Sequence, residues 1–120
     1  ILEYGWTQIP KCALDVFEAI PIINDAGGVV VLAHPPLSRS EWFTADEVKP
    51  LVEAGIGGIE IYHPSLDEAA RHYFLQMAKD FNLVITGGSD EHGFTNRFTR
   101  LGKQPVTMDM LETLRARAMS

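Results

Sequence analysis

Asp90 and His92 stand two residues apart in Ser89-Asp90-Glu91-His92-Gly93. An extended backbone at that spacing aims both side chains the same way. Aspartate offers a hard oxygen and histidine a borderline nitrogen, a mixture suited to Zn, Mn or Fe. Gly87, Gly88 and Gly93 flank the pair and allow tight turns and close backbone approach to a ligand. The same short pattern also fits a turn with a capping aspartate and an exposed histidine. His34 follows an apolar run and precedes Pro35-Pro36, where proline ends a ladder and restricts the residue before it. A histidine there serves either as a ligand or as a hydrogen-bonded structural residue. Glu60 lies inside the apolar stretch Gly58–Tyr62, and burying an unpaired carboxylate there would cost several kcal/mol. It needs a metal, a cation such as Arg71, or a hydrogen-bond network. His63 is a further candidate ligand, ranked below the others because it precedes Pro64 at the entry to a helix. His72 falls on the polar side of that helix and reads as solvated. Arg39, Arg97 and Arg100 lie in two long connections, 35–43 and 88–106, and are candidates to clamp a phosphate. Arg39 and Arg97 are taken as the substrate contacts. The sequence has no glycine-rich phosphate cradle followed by lysine and no GxSxG nucleophile elbow.

The elements that must position these residues alternate in type. Three apolar runs read as strands: Gly28–Ala33, Gly58–Tyr62 and Leu83–Thr86. The first and third are continuous and rich in β-branched residues, as parallel strands covered on both faces tend to be. Ser65-Leu66-Asp67-Glu68 matches a capping box, and the apolar stripe from Leu66 to Phe81 predicts a helix over 66–80 with Ser65 as N-cap. Ala13, Val16, Phe17, Ile20 and Ile23 form a similar stripe ahead of the first strand. Pro21 is expected to kink or restart it, and Gly27-Gly28 to end it. Thr44-Ala45-Asp46-Glu47 is a second capping box, followed by a short helix, broken at Pro50, that ends at Gly55. A last helix is expected from about Met108 to Ala118. Alternation of this kind indicates α/β units around a parallel sheet. Ligand-type residues follow each strand, and parallel strands bring those ends to one edge: His34, then Glu60 and His63, then Asp90 and His92.

The 120 residues suit one modest domain or a piece of a larger one, and a first residue of Ile1 suggests an excised segment. Hydrophobic residues make up 46% and charged residues 22%, a globular balance that argues against disorder. A formal charge of −6 excludes the basic surface that drives backbone binding to nucleic acid, although bound metal ions can reverse the charge locally. Cys12 is the single cysteine, so no intramolecular disulfide can form, and its place in a helix stripe favours packing over nucleophilic use. No apolar run approaches the roughly 20 residues needed to cross a bilayer, and no secretory leader is visible. A cytoplasmic protein without a membrane partner is expected.

The combination of motifs resembles the PHP (polymerase and histidinol phosphatase) superfamily. Ala26–Pro35 is similar to its "AGG…AHP" segment, Gly58–Tyr62 to its "GIEVY" strand, and Leu83–Gly93 to its closing "GSDxHG" motif. The three occur in the family's order, and the resemblance runs from about Leu14 to Gly102. It implies the carboxyl-terminal portion of a distorted (β/α)₇ barrel, with divalent ions (Mn, Zn, Fe or Mg) at the carboxyl end of the strands. His34, Asp90 and His92 are implied as ligands, Glu60 matches a family position beside them, and Asp90 and His92 are the implied catalytic pair. The implied reaction is phosphate-ester hydrolysis by metal-activated water, on nucleotide or short oligonucleotide substrates. The family's amino-terminal HxH strand and its further ligands have no counterpart here. The 120 residues are therefore expected to be inactive alone and to self-associate. The alternatives are a non-catalytic interaction domain or a polymerase-associated PHP domain.

Overall fold

A computed structural model describes residues 13–36, 42–93 and 99–120. Its first element, α1 (Val16–Asp25), opens with a capping box in which Asp15 accepts from the Phe17 amide at 2.8 Å and Glu18 accepts from the Asp15 amide at 3.2 Å. The helix runs unbroken through Pro21, so it does not restart there. Pro21 removes only the bond to the Phe17 carbonyl, and both residues face solvent, where water can satisfy that oxygen. The same reason applies to α2 (Ala45–Ala54), which continues through exposed Pro50 rather than breaking there. Its predicted Thr44/Glu47 capping box is present, and Gly55 closes it at φ +114°, in the left-handed region that glycine favours.

The strands are β1 (Val31–Leu32), β2 (Gly58–Tyr62) and β3 (Val84–Gly87), all parallel and in the order β1-β2-β3. β1 is shorter than its apolar run predicts. Its ladder with β2 ends after Leu32 and Ile59, although the Val30 carbonyl still accepts from the amides of Gly57 and Gly58. α3 (Glu68–Asp80) starts two residues later than predicted, with Asp67 rather than Ser65 as N-cap; the Asp67 carboxylate accepts from the Ala70 amide at 2.8 Å. α4 (Met108–Ala118) lies where the sequence places it, capped by Thr107.

The core forms where α3 covers the sheet. Ile59 and Ile61 of β2 and Phe74, Met77 and Ala78 of α3 are buried, joined by Val48 of α2, Ile20 of α1 and Leu83. Of the apolar stripe on α1 only Ile20 is buried; Val16 and Phe17 remain about half exposed, at 47% and 49%. Among the described residues, no helix is long and apolar enough to cross a membrane.

Candidate metal centre

The centre assembles at the carboxyl edge of the sheet, where the β1–β2 ladder stops. The Glu60 side chain takes over from the ladder there: its Oε2 accepts from the His34 amide at 2.9 Å. That bond holds His34 at φ +26°, a backbone state uncommon for any residue but glycine. Strain of this kind costs on the order of 1–3 kcal/mol. A hydrogen bond to a charged group contributes roughly 1.5–3 kcal/mol, enough to offset it. Arg71, the alternative partner for Glu60, is engaged elsewhere, donating to Gln104 at 3.2 Å and lying 5.9 Å from the Tyr62 ring centroid.

His63 joins this pair. A regular strand would send residues 60 and 63 to opposite faces, since side chains alternate. Here the register between β2 and β3 is irregular between Glu60 and Tyr62, and the His63 amide turns back to the Ile61 carbonyl at 3.1 Å. The bulge and tight turn re-aim the chain. The His63 ring lies 4.9 Å from the His34 ring, and one ligand atom from each of His34, Glu60 and His63 falls within 4.8 Å of the others.

His63 is 2% exposed. Its Nδ1 meets the Ser65 hydroxyl at 2.7 Å and the Ser65 amide at 3.1 Å, whereas its buried Nε2 has no hydrogen-bond partner. The nearest carboxylate oxygen, Asp90 Oδ2, stands 3.6 Å from Nε2, beyond good hydrogen-bond distance. An orphaned buried nitrogen costs free energy unless something else binds it. Two imidazole nitrogens and a carboxylate oxygen form a donor set suited to Zn, Mn or Fe, so these residues fit a divalent ion.

Asp90, at φ +52°, borders the group, with Arg100 Nη1 3.9 Å from its Oδ2. His92 is not one of the group: its exposed ring places Nδ1 2.7 Å from the Asp90 carbonyl oxygen and 3.8 Å from Asp90 Oδ1. Of the predicted ligands, then, His34 and Glu60 come together, Asp90 stands beside them, and His92 lies outside the group. His63, ranked lowest by sequence, is the third member; its signal was its position one residue past a strand end, obscured by strand parity. His72 is exposed, as expected. Arg39, Arg97 and Cys12 lie outside the described residues.

Glu91 plays a part the sequence did not suggest. Its carboxylate accepts from the Arg100 amide at 2.7 Å, the Gly93 amide at 3.0 Å and the Thr99 hydroxyl at 3.3 Å. The Arg100 amide, and after it the Gly93 amide, hold its carboxyl below the usual carboxylate range. Glu91 thereby ties Arg100 close to Asp90.

No protein-family profile matches the chain. A phosphoribosyl 1,2-cyclic phosphate 1,2-diphosphodiesterase of Eggerthella lenta is 37% identical over 89 residues, covering 74% of this chain and 32% of that protein. A crystal structure of a protein from Bifidobacterium adolescentis, proposed there to be a metal-dependent phosphoesterase, superposes with a TM-score of 0.77 at 29% identity. That match covers 91% of this chain and 38% of the other. The chain thus spans about a third of the length of each of these relatives. Shared sequence, shared fold and a metal-competent group at the sheet edge agree in supporting a PHP-type phosphoesterase domain.

Proposed function

We propose that this chain contributes part of the centre of a metal-dependent phosphoesterase. The observation that carries this reading is the convergence of His34, Glu60 and His63 at the carboxyl edge of the sheet, with the buried Nε2 of His63 unpartnered. These three residues would hold a divalent ion, with Asp90 beside them as a further donor. Such an ion supplies Lewis acidity, neutralising phosphoryl charge and lowering the pKa of water. The chain's own residues orient and protonate. Glu60 orients His34 through the His34 amide, and Ser65 anchors the His63 ring. His92, on the rim, is assigned to protonate the leaving oxygen from Nε2. Arg100, beside Asp90, adds positive charge for a phosphate, a role shared in this reading with Arg39 and Arg97.

The substrate is a phosphate ester, of nucleotide or short-oligonucleotide type. The three parallel strands are read as the carboxyl-terminal portion of a (β/α)₇ barrel. The 120 residues alone are expected to bind metal without catalysing hydrolysis, because they span only about a third of their relatives. The test is metal uptake by calorimetry with Zn²⁺ and Mn²⁺. His63→Ala should weaken affinity by more than the roughly 10- to 100-fold that loss of an outer hydrogen-bond partner costs. Equal metal uptake by wild type and His63→Ala would overturn the assignment.

A further inference from the structure

We propose that the Ser65 hydroxyl is a positioning group for the metal centre, selecting the tautomer in which His63 can bind an ion. The inference rests on the metal-centre reading above and adds a residue to it.

The two nitrogens of His63 have unequal surroundings. Nδ1 faces two groups of Ser65: the amide at 3.1 Å and the hydroxyl oxygen at 2.7 Å. Nε2 is buried without a hydrogen-bond partner, and with Nδ1 occupied by Ser65 it is the nitrogen left for the group formed with His34 and Glu60. A neutral imidazole carries one proton, and the nitrogen that binds a metal must be the one without it. The Ser65 amide can only donate. Acting alone it would draw the lone pair to Nδ1 and leave the proton on Nε2. That form cannot bind an ion through Nε2.

The hydroxyl can donate or accept, so it alone of these two groups can accept a hydrogen bond from a protonated Nδ1. To hold an ion through Nε2, His63 would carry its single proton on Nδ1, one proton given up at Nε2 and one taken up at Nδ1, so the ring's charge would be unchanged. That Nδ1–H would donate to Ser65 Oγ, whose own hydrogen turns to water since Ser65 is exposed, and the Ser65 amide would give up its bond to Nδ1. Without the hydroxyl, a buried N–H would point at a backbone N–H with no acceptor. Outer hydrogen-bond partners of metal-binding histidines act this way in general. The same contact explains why α3 begins late: Ser65 is engaged with His63, and Asp67 caps the helix in its place.

The experiment uses the whole chain with Zn²⁺ as probe. Ser65→Ala should lose about 10- to 100-fold in zinc affinity by calorimetry, and Ser65→Thr, which keeps the hydroxyl, should restore it to within a few-fold. Circular dichroism should show both variants folded, because residue 65 is exposed and does not cap α3. Imidazole ¹⁵N shifts of the zinc-loaded wild type should show His63 protonated at Nδ1, a readout that needs no variant. Zinc affinity of Ser65→Ala within twofold of wild type, or an unprotonated Nδ1 in the loaded wild type, overturns this inference and leaves the metal centre standing. A wild-type chain that takes up no zinc overturns both.

Discussion

At the scale of single residues, Glu91 illustrates how one carboxylate organises a neighbourhood without being a ligand. Two backbone amides and a hydroxyl converge on it, and the ionised form is what they stabilise. Its pKa in the folded chain is lowered, so its contribution is present above the ordinary unfolded value and is lost as pH falls through the folded value. Amide exchange at Gly93 and Arg100, corrected for intrinsic rate, should therefore lose protection as the solution is acidified below the usual carboxylate range. Glu91→Gln should be less protected at neutral pH and should show no such acid dependence. Protection that stays flat with pH in the wild type would contradict this account of the loop.

At the scale of elements, the junction of β2 and β3 sets the geometry of the centre. The register irregularity between Glu60 and Tyr62 requires β3 to come close, and Gly87 permits it. A Cβ on Gly87 would lie 2.6 Å from Tyr62 Cβ and 2.7 Å from the Tyr62 carbonyl oxygen, a clash with backbone that no rotamer change relieves. Gly87→Ala should cost at least the roughly 1–3 kcal/mol of ordinary overpacking and disturb the approach of His63 to Glu60. Gly88 offers the control. A Cβ there would find only Glu60 Oε1, at 3.5 Å, an ordinary contact, so Gly88→Ala should be nearly neutral. Urea unfolding of the two variants would separate them, and equal midpoints would contradict the argument.

For the molecule as a whole, the surface is more apolar than a self-sufficient domain would leave it. Besides the half-exposed Val16 and Phe17, Ile22 of α1 is 56% exposed, and Met108 and Leu111 of α4 are exposed too. Among the described residues β1 and β3 each pair with one strand only, so both present an open edge. Open edges and apolar faces favour association. Taken with the third of its relatives' length that the chain spans, this leads us to expect self-association at micromolar concentration. Light scattering checks it, and a monomer at that concentration would count against it.

Much of this arrangement was legible in local sequence, because it depends on local chemistry. The apolar runs marked three strands, and parallel alternation placed His34, Glu60, His63 and Asp90 at one edge. Thr44 and Glu47 announced the start of α2, and the stripe at 108–118 marked α4, since caps and periodicity act within a few residues. The break expected at Pro50 does not occur, because that proline lies on an exposed face of α2 where water can satisfy a freed backbone group. The identity of the metal-competent group was likewise decided in three dimensions. His63 joins it only because the strand bulges against Gly87, and Ser65 serves His63 instead of capping α3. Asp90 and His92, the sharpest pair in the sequence, stay within 3.8 Å of each other across the φ +52° turn at Asp90, yet only the carboxylate stands beside His63, while the exposed imidazole is not one of the group. Spacing along a chain states which side chains an extended backbone would align. Bulges, positive-φ turns and competing hydrogen bonds decide which ones meet, and those follow from tertiary packing.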